Sequence, residues 1–225
     1  MKTVLILGGT GDIGQAIHNE LSSKGLIVTS VGSKDIDLSN KSSIDEFLKN
    51  KNFDILIHSA GLNVVGNFED KELHEIELGI DTNLIGFLHV VKSLLPNWKK
   101  QSYGRIVVIS SLYGFLARKG RLPYVISKHG LLGAVRTLAI ELAEYNILTN
   151  AVSPGYINTK MTTKNNSPEK INELVQGIPQ RRLGKPEEIA KVVNFLVNDD
   201  NTYINGQDIV VDGGFSIGGF QKWIL

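Results

Sequence analysis

Tyr124 and Lys128 stand four residues apart in Tyr124-Val125-Ile126-Ser127-Lys128, a spacing that puts a phenol and an ammonium on one face of a helix. A phenol of ordinary pKa, ~10, exchanges protons poorly at neutral pH, and a neighbouring positive charge favours its ionised form. Such a pair suits proton transfer to or from an oxygen. Spacing alone does not distinguish it from two solvated surface residues. A second constellation lies near the N-terminus, where Gly8-Gly9-Thr10-Gly11-Asp12-Ile13-Gly14 follows the apolar run Thr3–Leu7. Gly9, Gly11 and Gly14 satisfy G-x-G-x-x-G. Between a strand and a helix, such a turn brings backbone amides and a helix N-terminus against a pyrophosphate, although the same glycines also serve purely structural turns.

A carboxylate at the tip of the second strand would grip the ribose 2′-hydroxyl of NAD and repel the 2′-phosphate of NADP. That tip falls at Gly32, followed by Ser33 and Lys34, either of which can meet a phosphate. Lys34 reads equally as a solvated loop lysine, and Asp35 stands close by. On balance NADP(H) is expected over NAD(H), with the Asp37-Leu38 segment contributing to the same site.

The elements that must position these groups alternate in kind. Strands are expected at Thr3–Leu7, Ile27–Val31, Phe53–His58, Arg105–Ser110, Leu148–Ser153 and Asp208–Val211, separated by stretches with helical apolar spacing. This order predicts an α/β fold, a Rossmann-type doubly wound parallel sheet formed by one domain over residues 1–225. Ile13, Ile17 and Leu21 line one face of the first helix, which Gly25 ends. Ser43-Ile44-Asp45-Glu46 reads as a capping box opening the next. Few residues separate the second strand from Asp37-Leu38, whereas a parallel crossover needs roughly ten to twelve. The fold is therefore expected to be trimmed by one crossover helix after the second strand, with or without the loss of its strand.

Taken together the motifs resemble those of the short-chain dehydrogenase/reductase family. The resemblance is carried by the glycine turn, Ser59-Ala60-Gly61, Asn83, Ser111, Tyr124 with Lys128, and Asn150-Ala151-Val152-Ser153-Pro154-Gly155. It continues through Arg182-Leu183-Gly184-Lys185-Pro186-Glu187-Glu188 and Val211-Asp212-Gly213-Gly214, and so covers nearly the whole chain. It implies a catalytic set of Asn83, Ser111, Tyr124 and Lys128. Tyr124 would be the acid or base, and Lys128 would hold the nicotinamide ribose and depress the tyrosine pKa. Ser111 would bond the substrate oxygen, and Asn83 would orient a water connecting Lys128 to solvent. Cofactor contacts are implied for Gly8, Thr10, Gly11, Asp12, Ile13, Gly14, Ser33, Lys34, Asp37, Leu38, Ser59, Ala60, Gly61, Tyr124, Lys128, Pro154, Gly155, Ile157 and Thr159. The stretch after Thr159, with Asn165, Asn166 and Ser167, would form a mobile lid. Other readings stay open: Ser110 in place of Ser111, Asn83 as a cap or kink, and His58 as structural.

The chain departs from the family at Asp12, where a glycine is usual, and at His58-Ser59, where two asparagines are usual. Within the family it resembles the bacterial 3-oxoacyl-(acyl-carrier-protein) reductases, which implies reduction of a 3-oxoacyl thioester with NADPH. The substrate would be a small carbonyl or alcohol compound, carried on an acyl carrier protein or coenzyme A. A sugar derivative or secondary metabolite is the alternative. A non-catalytic dinucleotide sensor is a third reading, whose signature would be a broken tetrad. The loop Arg118-Lys119-Gly120-Arg121 either attracts an anionic substrate or is merely solvated.

Composition limits the remaining classes. The formal net charge of +1 offers nothing to nucleic acid or an anionic membrane, and the absence of cysteine excludes disulfides and thiolate catalysis. No run of ~18 to 20 apolar residues suggests a membrane span and no signal peptide is evident, so a cytoplasmic location is expected. Family likeness implies a homotetramer or homodimer. Its interface would use Leu84–Leu95 and Leu131–Leu142, and the apolar tail Phe220, Trp223, Ile224 and Leu225 would cover a neighbour or the site.

Overall fold

The computed structural model describes residues 1–164 and 166–218. Asn165 and the tail residues Phe220, Trp223, Ile224 and Leu225 lie outside them. Six strands form one all-parallel sheet: β1 (Thr3–Leu7), β2 (Ile27–Val31), β3 (Ile55–His58), β4 (Gly104–Ile109), β5 (Ile147–Pro154) and β6 (Asp208–Val211), in the order β2-β1-β3-β4-β5-β6. The strands expected from Phe53 and Leu148 begin at Ile55 and Ile147 instead, shifts of one or two residues at element ends.

The helices are α1 (Asp12–Ser23), α2 (Lys41–Leu48), α3 (Leu73–Ile80), α4 (Gly86–Gln101), α5 (Leu122–Leu142), α6 (Lys160–Lys164), α7 (Pro168–Gln176), α8 (Pro186–Val197) and α9 (Phe215–Gly218). Alternation along β1 shows how the sheet divides the core. Val4 and Ile6 point to the side covered by α1 and α8, and Leu5 and Leu7 to the side covered by α4 and α5. A π-helical turn, Asp81–Ile85, joins α3 to α4. The continuous rod from Leu73 to Gln101 is long and apolar enough to cross a membrane by composition, contrary to the expectation that no segment would be. Here Phe87, Val90, Leu94 and Trp98 bury its apolar face in the core.

The crossover after β2 is trimmed, and both its helix and its strand are missing. The order β2-β1-β3 matches the 2-1-4 part of a doubly wound 3-2-1-4 arrangement, with no strand 3 outside β2. Residues 32–40 bridge β2 and α2 directly and bury Ile36 and Leu38 against the core, while β2 is left as an edge with Ile27 exposed. A Cβ on Gly86 would lie 2.2 Å from the Leu38 carbonyl oxygen, so the short route depends on a bare backbone at the start of α4.

The capping box expected at Ser43–Glu46 is not used. α2 begins at Lys41 because the Asn40 side chain accepts from the amides of Ser42 and Ser43, while the Ser43 hydroxyl accepts from Asp37 N. Leu131, Leu132, Val135, Ala139 and Leu142, expected to serve a partner as well as the sheet, are buried in the chain's own core. Ile140, 81% exposed, faces outward instead.

Candidate active site

The sheet's strands all end on one side, and the order reverses between β1 and β3, opening a crevice beyond their carboxyl ends. The glycine turn crosses it. Gly8 has φ +78°, a backbone state that favours glycine, and its Cβ would sit 2.5 Å from Ala60 N. A Cβ on Gly14 would lie 2.3 Å from the Gly8 carbonyl oxygen. The turn is thus pressed against both its own helix and the Ser59-Ala60-Gly61 loop. Gly11 caps α1 without a side-chain hydrogen bond, which leaves the first-turn amides for an outside acceptor.

Two adjoining hollows follow the turn. One, about 600 Å³, is lined by Gly8, Thr10, Gly11, Ser33, Asp37, Leu38 and Ser59–Gly61. The other, about 300 Å³, is lined by Thr10–Gly14, Ser59–Gly61, Ser110, Ser111, Tyr124, Lys128, Pro154, Gly155, Ile157 and Thr159. Of the residues expected to meet a cofactor only Lys34 lines neither, being an exposed loop residue. Asp35, the nearest carboxylate, accepts from Gly32 N at 2.8 Å and also lies outside both linings. A bare cradle, free helix amides and a two-chambered trough suit a dinucleotide. Asp12 does not face this trough as an unpaired charge: it accepts from Lys160 N at 2.6 Å and so ties the start of α6 to the turn.

Tyr124 and Lys128 lie on α5, Tyr124 in its first turn where Pro123 helps start the helix. Lys128 is buried and its ammonium donates to the Ile109 carbonyl at 2.8 Å, 5.4 Å from the centroid of the Tyr124 ring. Burial lowers the Lys128 pKa to about 8. The expected depression of the Tyr124 pKa is not found. Burial pushes it up, and a hydrogen bond with Ser111 opposes that only in part. In this state the ammonium is committed to a carbonyl rather than to the phenol. Both serines line this hollow; Ser111 bonds Tyr124, whereas Ser110 donates to the Lys128 carbonyl at 3.5 Å.

Asn83 sits in the π turn, so the kink reading is part of its role. Its Oδ1 accepts from Leu62 N at 2.7 Å, and its Nδ2 donates to Leu62 O at 2.9 Å and to Ser127 Oγ at 3.0 Å. The side chain is fully used in joining the loop after β3 to α5, one residue before Lys128. Its main-chain carbonyl is used as well, accepting from His58 Nε2 at 2.8 Å. A carbonyl only accepts, so the His58 proton is on Nε2, and Nδ1 is left buried without a partner. Burial, reinforced by the Lys128 charge, lowers the His58 pKa to about 3, and the ring is neutral. His58 stacks on Phe87 with centroids 5.0 Å apart. Its contacts here are with the π turn and Phe87 of α4.

Beyond Tyr124 lies a third hollow that sequence reasoning identified only in part. Tyr113 and Tyr156 meet there, hydroxyl to hydroxyl at 3.4 Å, and Arg118 Nη1 donates to Tyr113 OH at 3.1 Å. Asn166, from the expected lid, reaches its wall, as do Met161 and Thr162. The basic loop was a local signal for Arg118 and Arg121. Nothing local marked Tyr113, Tyr156 or Asn63, which only the turns after β4, β5 and β3 bring together.

A family model described as enoyl-(acyl carrier protein) reductase matches residues 15–216. The 3-oxoacyl-(acyl-carrier-protein) reductase FabG of Buchnera aphidicola is 36% identical over 239 residues, covering 95% of this chain and 96% of that protein. The aldohexose dehydrogenase of Thermoplasma acidophilum superposes with a TM-score of 0.88 at 29% identity, over 100% of this chain and 96% of the other. A protein of Agrobacterium tumefaciens described as a 2-deoxy-D-gluconate 3-dehydrogenase, solved with bound NADP, gives 0.89 at 26% identity over 96% of each chain.

Proposed function

Because the chain belongs to the short-chain dehydrogenase/reductase family, we propose that it interconverts a ketone and a secondary alcohol, using NADP(H) in preference to NAD(H). The observation that carries this reading is the convergence of Ser111, Tyr124 and Lys128 on the same hollow as the glycine turn and the bare N-terminus of α1. The nicotinamide, when bound, donates or accepts the hydride. In reduction, Ser111 offers its hydroxyl to the carbonyl oxygen as negative charge develops there, and Tyr124 delivers the proton. Lys128 supplies the positive charge that makes the resulting phenolate tolerable. Asn83 acts as a positioning residue that holds the loop after β3 and the Lys128 turn in register. The preference for NADP(H) rests on Ser33 in the larger hollow and on Asp35 being turned away to Gly32 N.

The first substrate class to try is a 3-oxoacyl thioester, the substrate named for the Buchnera relative. A sugar derivative is the second, favoured by the polar wall of Tyr113, Tyr156 and two arginines and by the likeness to sugar dehydrogenases. The test follows NADPH and NADH absorbance with 3-oxobutyryl thioester and an aldose and ketose panel, using wild type and Tyr124→Phe. The expected result is NADPH-linked turnover that falls about 100-fold or more in the variant. Undiminished turnover in Tyr124→Phe would remove the assigned acid. For assembly we infer a homo-oligomer that buries Ile140, to be checked by sedimentation of wild type against Ile140→Glu.

A further inference from the structure

Arg121 is the N-terminal cap of α5, three residues before Tyr124, and its charge is felt at the Tyr124 phenol. It is only 9% exposed, yet its Nη1 is buried without a partner. Arg118 lies beside it, and the repulsion of the second guanidinium adds to burial in lowering the Arg121 pKa. Among the described residues neither arginine is paired with a carboxylate. Both line a hollow of about 130 Å³ that shares Ser111 and Tyr124 with the hollow beside the glycine turn.

Enclosing an unpaired charge costs several kcal/mol unless an opposite charge and hydrogen bonds compensate it. The part-buried Arg118 guanidinium beside it adds to that cost for Arg121. Among the described residues, the one polar partner of Arg118 here is a neutral phenol. The missing negative charge is therefore one that a ligand brings. A guanidinium presents a planar fork of N–H donors that matches the two oxygens of a carboxylate. The hollow is small and the arginines sit next to the acid–base residue, so the carboxylate must lie a few bonds from the reacting carbon.

We propose that the carbonyl or alcohol substrate carries a carboxylate close to its reacting carbon, held by Arg118 and Arg121. This inference rests on the oxidoreductase reading and puts short oxo and hydroxy acids ahead of the 3-oxoacyl thioester as its substrate class. In the complex, Arg121 Nη1 gains its acceptor and the carbonyl is presented to Ser111 and Tyr124.

The test compares 3-oxobutanoate with its methyl ester, nearly equal in size and differing in charge, by NADPH oxidation in wild type, Arg118→Gln, Arg121→Gln and Arg121→Lys. A charge-assisted hydrogen bond pair corresponds to about 10- to 100-fold, so wild type should prefer the acid by about that factor in kcat/KM. The acid-to-ester ratio should fall towards one in both glutamine variants and recover in part in Arg121→Lys. In parallel, 3-hydroxybutanoate and gluconate are titrated calorimetrically into the protein holding NADPH, a readout that needs no turnover. At least one should bind saturably to wild type and more weakly to Arg118→Gln, which keeps the more buried arginine should Arg121→Gln fail to fold. Binding without turnover of any carbonyl would overturn the oxidoreductase reading and leave the anion pocket standing. Ester turnover equal to that of the acid, or no binding by either carboxylate, would overturn the pocket and leave the oxidoreductase reading intact.

Discussion

Replacing Lys128 by methionine should abolish turnover and yet make the protein more stable at neutral pH. Lys128 is 3% exposed and, among the described residues, its ammonium's one hydrogen bond is to the Ile109 carbonyl, so the ammonium is poorly compensated and its pKa drops to about 8 from 10.5. At ~1.4 kcal/mol for each pH unit, that difference represents about 3 kcal/mol by which the charged lysine weakens the fold. Below pH 8 both states hold the proton and the full cost is present. Between pH 8 and 10.5 the unfolded chain binds more protons than the native one, so stability gains with rising pH until the cost is gone. Methionine fits a similar volume and removes the charge, while stripping the Ile109 carbonyl of its donor costs about 1 kcal/mol. Without nucleotide, Lys128→Met should therefore be about 2 kcal/mol more stable than wild type at pH 7 and about 1 kcal/mol less stable above pH 10.5. Urea unfolding of both proteins at a series of pH values measures this, and tyrosine ionisation largely cancels in the comparison. A gap that stays constant with pH, or a methionine variant less stable at pH 7, would refute the account of Lys128 as a poorly compensated buried charge.

Other outcomes follow from contacts already described. Gly14→Ala drives a Cβ to 2.3 Å from the Gly8 carbonyl oxygen, so NADPH binding by fluorescence titration should weaken at least tenfold, with about 1–3 kcal/mol of stability lost. Asn83→Ala removes three hydrogen bonds and strands both backbone groups of Leu62, and urea unfolding should show a loss of about 2–4 kcal/mol. Ser33→Asp adds a second carboxylate, after Asp37, to the larger hollow, and the ratio of kcat/KM for NADPH over NADH should fall at least tenfold, about 1.4 kcal/mol or more.

The fold class and several members of the candidate site were legible in the sequence because they rest on local rules. A glycine turn between strand and helix needs those glycines wherever it occurs, and an i, i+4 pair shares a helix face without help from the rest of the chain. The trimmed crossover could be read from a count of residues. The start of α2 could not, because Asn40 outcompeted Ser43 for the free amides once Asp37 had engaged the Ser43 hydroxyl.

Tertiary structure alone decided the electrostatics. Sequence spacing put an ammonium beside a phenol, but burial lowered the pKa of the ammonium and raised that of the phenol, and the Ile109 carbonyl rather than Tyr124 took the lysine's hydrogen bond. Asn83 became a three-way tie, and His58 a neutral support for its carbonyl, because residues 25 positions apart were brought to one sheet end. The gathering of Arg118 and Arg121 near two tyrosines from separate turns is likewise a consequence of the assembled sheet. A charge's neighbours and its distance from water are properties of the packed chain, and no local pattern of residues encodes them.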